Sequence, residues 1–141
     1  MLEKYVEGYN EAMGFAIIAK LQEERKLSRS AAIQLLYKEI PKESYFQEKI
    51  MDAIKKKYPD AFIRKISQGA YSEGGFPDLL VINNGQAFAF EVKRPVVGIT
   101  SKLQLLTLAK LKAAGAEALI VRWPEEALAI MANYDFRENE K

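Results

Sequence analysis

The sequence predicts an α/β domain: a mixed β-sheet flanked by helices, carried behind an N-terminal helical extension. Three observations predict it. Apolar residues recur at helical spacing through the first part of the chain, up to Pro59. Asn84-Gly85 then joins two short apolar runs, DLLVIN and QAFAFEVK, as a hairpin turn joins strands. A helix-patterned segment, SKLQLLTLAKLKAAG, separates that hairpin from another strand-like run, AEALIVR. The resulting order is α-α-α-β-β-β-α-β-α.

Each element has a local reason. Tyr9, Met13, Ala16, Ile17 and Leu21 repeat at helical spacing. A break follows at Ser28, and Ser28 or Ser30 caps a short second helix carrying Ala31, Ala32, Leu35 and Leu36, ended by Pro41. Residues 1–40 hold six basic and six acidic residues, so a pair of helices packed on the domain or on a partner suits them better than a DNA reader. ESYFQEKIMDAIKKKYP places Phe46, Ile50, Ala53, Ile54 and Tyr58 on one helical face, stopped by Pro59. AFIRKIS alternates as a strand, with Phe62, Arg64 and Ile66 on one side and Ile63 and Lys65 on the other. The glycine-rich lead-in SQGAYSEGGFP precedes the hairpin. Ser101 or Thr100 caps the helix that follows it, Gly115 closes that helix, and Pro124 opens the last one, PEEALAIMANY. Residues 1–41 form the extension and residues 42–141 the main domain.

Composition narrows the chemistry. The 141 residues are 49% hydrophobic and 28% charged, with 21 Lys+Arg against 19 Asp+Glu and a net charge of +2. There is no Cys and no His. Disulfides, thiol nucleophiles, Cys-ligated zinc and iron–sulfur clusters are excluded, and so are imidazole bases and His-ligated metals. An enzyme of this composition works with carboxylates, Lys, hydroxyls, backbone groups and a hard cation. No apolar stretch approaches the roughly 20 residues of a membrane span, and the first residues show no signal-peptide pattern. A cytoplasmic protein with no membrane partner is expected.

The hairpin brings charges together. With a two-residue turn at Asn84-Gly85, Asn83 faces Gln86 and Asp78 faces Glu91, while Lys93 shares their face. Leu80, Ile82, Ala87 and Ala89 lie on that face, and Leu79, Val81, Phe88, Phe90 and Val92 on the other. A hairpin apolar on both sides is expected to be central and covered on both faces. Two carboxylates at that spacing repel by roughly 3–4 kcal/mol at an effective dielectric near 20. Either a divalent cation turns this penalty into a site, or Lys93 neutralises one of the two.

Pro77-Asp78, twelve intervening residues, then Glu91-Val92-Lys93 resembles the PD-(D/E)XK nuclease signature. More narrowly, GGFPDLL, FEVKRP and SKLQLLTLAKLKAAGAEALIVR look like the VRR-NUC branch, which is similar to archaeal Holliday-junction resolvases and includes small phage-type members. The resemblance spans about Glu43 to Arg122 and implies a restriction-endonuclease-like fold. It implies Asp78 and Glu91 as ligands of Mg²⁺ or Mn²⁺, with the Val92 backbone carbonyl as a further ligand. It makes Lys93 the residue that steadies the nucleophile or the transition state. Glu43 matches the acidic residue of the first family helix, supporting the metal indirectly, and Gln47 the next polar position. Gln104 matches the glutamine after the EVK strand. From its own register with Leu108, Leu111 and Gly115, Gln104 is also an amide on an apolar stripe that needs a partner, which a nearby backbone group equally provides.

Nucleic-acid contacts are expected from Arg64, Lys65 and Arg94 near the site, from Gln47, and from the basic helix end Lys55, Lys56 and Lys57. The reading is therefore a metal-dependent endonuclease acting on DNA, structure-selective toward junctions or flaps in repair or recombination. The alternative is a non-catalytic DNA-binding or assembly subunit that keeps the nuclease fold; an unrelated α/β protein with a chance motif is a third. A homodimer is expected by analogy with junction-resolving relatives.

Overall fold

The computed structural model describes residues 11–66, 74–95 and 98–135. Tyr9 and residues 67–73 of the glycine-rich lead-in lie outside the described residues, as does the side chain of Met13. The chain order is α1 (Glu11–Arg25), α2 (Arg29–Glu39), α3 (Glu43–Lys57), β1 (Phe62–Lys65), β2 (Leu79–Asn83), β3 (Gln86–Val92), α4 (Lys102–Ala113), β4 (Glu117–Val121) and α5 (Pro124–Ala132). The sheet order is β1-β2-β3-β4. β2 runs antiparallel to both β1 and β3, whereas β4, reached through α4, runs parallel to β3. This is the mixed α/β sheet that the sequence predicts.

The hairpin takes the register that its turn dictates. Asn84 and Gly85 have φ of 53° and 82°, the pair of left-handed residues a type I′ turn requires. Asn83 pairs with Gln86 and Leu79 with Phe90. On one face Leu79, Val81, Phe88, Phe90 and Val92 are buried against Phe46, Ile50 and Ile54 of α3 and Ala127 and Met131 of α5. Burying each large side chain contributes about 1.5–3 kcal/mol.

α1 and α2 feed the same core through Ile17, Ile18, Leu21, Ala32 and Leu36. Of the two serines considered, Ser28 is the N-cap of α2, its side chain accepting from the Ala31 N–H at 3.1 Å. α1 and α2 thus share one core with the sheet. No helix among the described residues is long and apolar enough to cross a membrane.

The opposite face departs from expectation. α4 covers β3 and β4 there, with Leu108 against Ala89 and Ala118. β1 is an edge strand, and Phe62 and Ile82 stay 48% and 41% exposed. The hairpin is therefore covered on one face and half-open on the other, because one helix is too narrow to roof four strands.

Candidate metal centre

Three elements deliver carboxylates to one end of the sheet. The buried stripe Phe46–Ile50–Ile54 sets the rotation of α3. Residues one helical turn apart share a face, so that stripe also directs Glu43 and Gln47 at the helix start. Glu91 lies near the end of β3, between Phe90 and Val92, which point into the opposite core. Asp78 immediately precedes β2; its backbone carbonyl accepts from the Ile66 N–H at 2.7 Å and its Oδ2 from the Val92 N–H at 2.9 Å. Glu43, Asp78 and Glu91 each offer an oxygen, and these oxygens lie within 4.8 Å of one another.

The charges of this cluster are not balanced. Lys93 is buried, with Nζ 3.6 Å from Glu91 Oε1. Gln104 Nε2 donates to the same oxygen at 3.0 Å. Glu91 Oε2 is buried without a hydrogen-bond partner. Burial pushes the Glu91 carboxyl up to about 8, helped by the neighbouring Asp78 and the more distant Glu43, while Lys93 opposes the shift. Burial also raises Glu43; Lys93 and Arg94 pull it down and Asp78 pushes it up. The lysine therefore leaves the cluster short of positive charge. An orphaned buried oxygen beside other carboxylates suits a hard cation, which takes all-oxygen ligand sets.

Other residues singled out by the sequence fall in different places. Gln104 serves two partners at once. Its Oε1 accepts from the Ser101 N–H at 3.0 Å in a capping box, and its Nε2 reaches Glu91. Gln47 is buried on α3 rather than displayed to solvent. Arg64 pairs with Leu80 on the Asp78 face and lies over the Phe62 ring at 5.2 Å, whereas Lys65 pairs with Leu79 on the other side. Lys55, Lys56 and Lys57 occupy the far end of α3, about 18–21 Å from Glu43 at 1.5 Å per residue. Arg94 directs its hydrogen bonds to the chain before α3: Nε donates to the Pro41 carbonyl at 3.0 Å, and Nη2 donates to those of Tyr37 and Ile40 at 2.6 Å each. The phosphate grip expected of Arg94 is not where its hydrogen bonds go.

Three features escaped the sequence reading. The Ser101–Gln104 capping box was visible as S-x-x-Q. Arg122, whose Nη1 donates to the Arg94 carbonyl at 2.9 Å, carried no local signal. Gly98 packs on the backbone beside Lys93: a Cβ there would meet the Arg94 nitrogen at 2.8 Å and the Lys93 Cβ at 2.8 Å. An isolated glycine in a loop does not reveal such an approach.

No family model and no curated protein matches the sequence. Among solved structures the chain is similar to a VRR_NUC domain, with 23% identity and a TM-score of 0.49 over 62% of this chain and 95% of that one. It is also similar to Archaeoglobus fulgidus Hjc, a Holliday junction resolvase from an archaeal hyperthermophile, with 19% identity and a TM-score of 0.46 over 57% of this chain and 67% of that one.

Proposed function

We propose that this chain is a Mg²⁺- or Mn²⁺-dependent endonuclease that hydrolyses DNA phosphodiester bonds. The supporting observation is the cluster itself: Glu43, Asp78 and Glu91 within 4.8 Å, one buried ammonium against it, and one buried carboxylate oxygen left without a partner. Asp78 and Glu91 would hold the cation, with Glu43 acting indirectly. A strand residue turns its N–H and C=O to the same side. The Val92 N–H donates to Asp78, so the Val92 carbonyl would be a further ligand.

When bound, the cation supplies Lewis acidity toward the scissile phosphate and lowers the pKa of a coordinated water. Lys93, 3.6 Å from Glu91 Oε1, is placed to stabilise negative charge developing on the phosphoryl oxygens. Gln104 orients Glu91 by holding Oε1. Arg64, exposed on the Asp78 face, is the nearest candidate for a phosphate contact, and the Lys55–Lys57 run a remote one. Branched DNA is the substrate class implied by the sequence resemblance, the cytoplasm its compartment and a homodimer its assembly. Leu103, Leu105 and Leu106 of α4, all at least half-exposed, are consistent with such an assembly.

A panel of labelled junction, flap, single-stranded and duplex substrates, in Mg²⁺ or Mn²⁺ with an EDTA control, tests this reading. Cleavage is expected from the wild type and is lost with EDTA and in Asp78→Ala and Glu91→Ala. Undiminished cleavage by Asp78→Ala sinks the proposal. DNA binding without cleavage in either metal replaces it with a non-catalytic subunit.

A further inference from the structure

Glu43 starts α3, whereas Glu91 and Lys93 end β3 and follow it. For these side chains to meet, the start of α3 must be held against the end of β3. On the helix side the buried Phe46 sets the rotation of α3, but its first turn is not capped: the N-cap residue Lys42 makes no side-chain capping bond. The connection is Arg94, the residue after Lys93.

We propose that Arg94 is a positioning residue that makes the N-terminal extension part of the metal centre. By gripping the carbonyls of Tyr37, Ile40 and Pro41 it sets the start of α3, and so Glu43, against Glu91 and Lys93. The proposal rests on the nuclease reading above.

Both ends of the grip are anchored. The last carbonyls of a helix lack intrahelical donors and form the negative end of its dipole, so a guanidinium suits the end of α2. The Tyr37 ring lies 4.7 Å from the Arg94 guanidinium carbon and covers it. The Pro41 carbonyl, bound by Nε, lies two residues before Glu43. On the strand side, the Arg94 carbonyl accepts from Arg122 Nη1 at 2.9 Å and from the Gly98 N–H at 3.0 Å. The close approach of Gly98 removes the space into which this backbone could drift. The fork geometry matters. An ammonium is a single point, able to cap α2 but not to reach Pro41 in the same pose.

The test compares wild type, Arg94→Lys and Arg94→Met. Mn²⁺ is titrated calorimetrically into the DNA-free proteins, which are also melted. Cleavage kinetics and amide exchange across α3 follow. Arg94→Lys is expected to fold and to melt close to the wild type, yet to bind Mn²⁺ about tenfold more weakly, the equivalent of one lost hydrogen bond near its upper worth. Its α3 amides exchange faster, and kcat falls while KM for DNA is unchanged. Arg94→Met loses kcat by about 100-fold, the effect of a misplacement near 1 Å.

Wild-type Mn²⁺ affinity in Arg94→Lys overturns the proposal, and so does a rise in KM alone, which marks a phosphate contact. If the wild type itself binds no Mn²⁺ and cleaves nothing, the nuclease reading fails. The exchange data then decide the grip separately: faster exchange in α3 supports it, and unchanged exchange overturns it.

Discussion

Glu91 is 1% exposed, and its proton depends on what shares the site. Its carboxyl is pushed up to about 8 from 4.5, first by burial and then by Asp78. Between those values the folded, metal-free chain keeps a proton that the unfolded chain has released. This contribution to stability is present below the unfolded value and is lost as pH rises through about 8. The raised Glu43 acts in the same direction. Metal-free melting temperatures are therefore expected to fall between pH 5 and pH 8, about 3–4 °C for each kcal/mol lost in a chain of this length. Glu91→Gln flattens this slope in scanning calorimetry; a wild type that melts higher at pH 8 than at pH 5 contradicts it. Lys93→Met retains Mn²⁺ binding while kcat falls by about 10²–10³-fold, the scale for losing one transition-state donor. Gly98→Ala drives a Cβ into backbone and costs about 1–3 kcal/mol in urea unfolding.

Among the elements, α4 joins a helix cap to the chemistry. The Ser101 side chain accepts from the Gln104 N–H at 3.2 Å while the Gln104 side chain holds the Ser101 N–H and Glu91. Ser101→Ala is expected to destabilise the chain by about 1 kcal/mol, the usual worth of a cap. The same variant loosens Gln104, so Mn²⁺ affinity in calorimetry falls as well. A stability loss with unchanged metal affinity shows the cap and the site to be independent. α3 shows the same economy, since the stripe that buries Phe46, Ile50 and Ile54 also sets where Glu43 points. Its start, however, is held from outside by Arg94.

In the whole molecule, one hydrophobic core includes residues of α1, α2, α3, α5 and the sheet. A ligand that binds only the folded chain stabilises it by about 2.7 kcal/mol at a hundred times its dissociation constant. In the proposed site Mn²⁺ displaces the Glu91 proton on binding, so its affinity is expected to rise with pH. The gain in melting temperature at a fixed Mn²⁺ concentration is therefore expected to be larger at pH 8 than at pH 6. Equal gains at both pH values remove Glu91 from the ligand set. Light scattering tests the proposed assembly: a homodimer has twice the 16.0 kDa chain mass, and a solution mass of one chain rules it out.

By itself, the sequence determined what adjacent residues decide. Asn84-Gly85 and the period of a strand set the hairpin register, and with it the placement of Asp78 and Glu91 at one end. The lack of His and Cys confined the site to oxygen donors and a lysine. The apolar stripe of α3 was equally legible. Only the tertiary structure brought Glu43 to that end, turned Arg94 onto α2, sent Gln104 to Glu91 and left Phe62 and Ile82 open. The physical reason is range. Turn geometry and side-chain period act along the chain, whereas these contacts join distant elements. Their partners are settled by how helices pack on the sheet and which carbonyls remain unpaired.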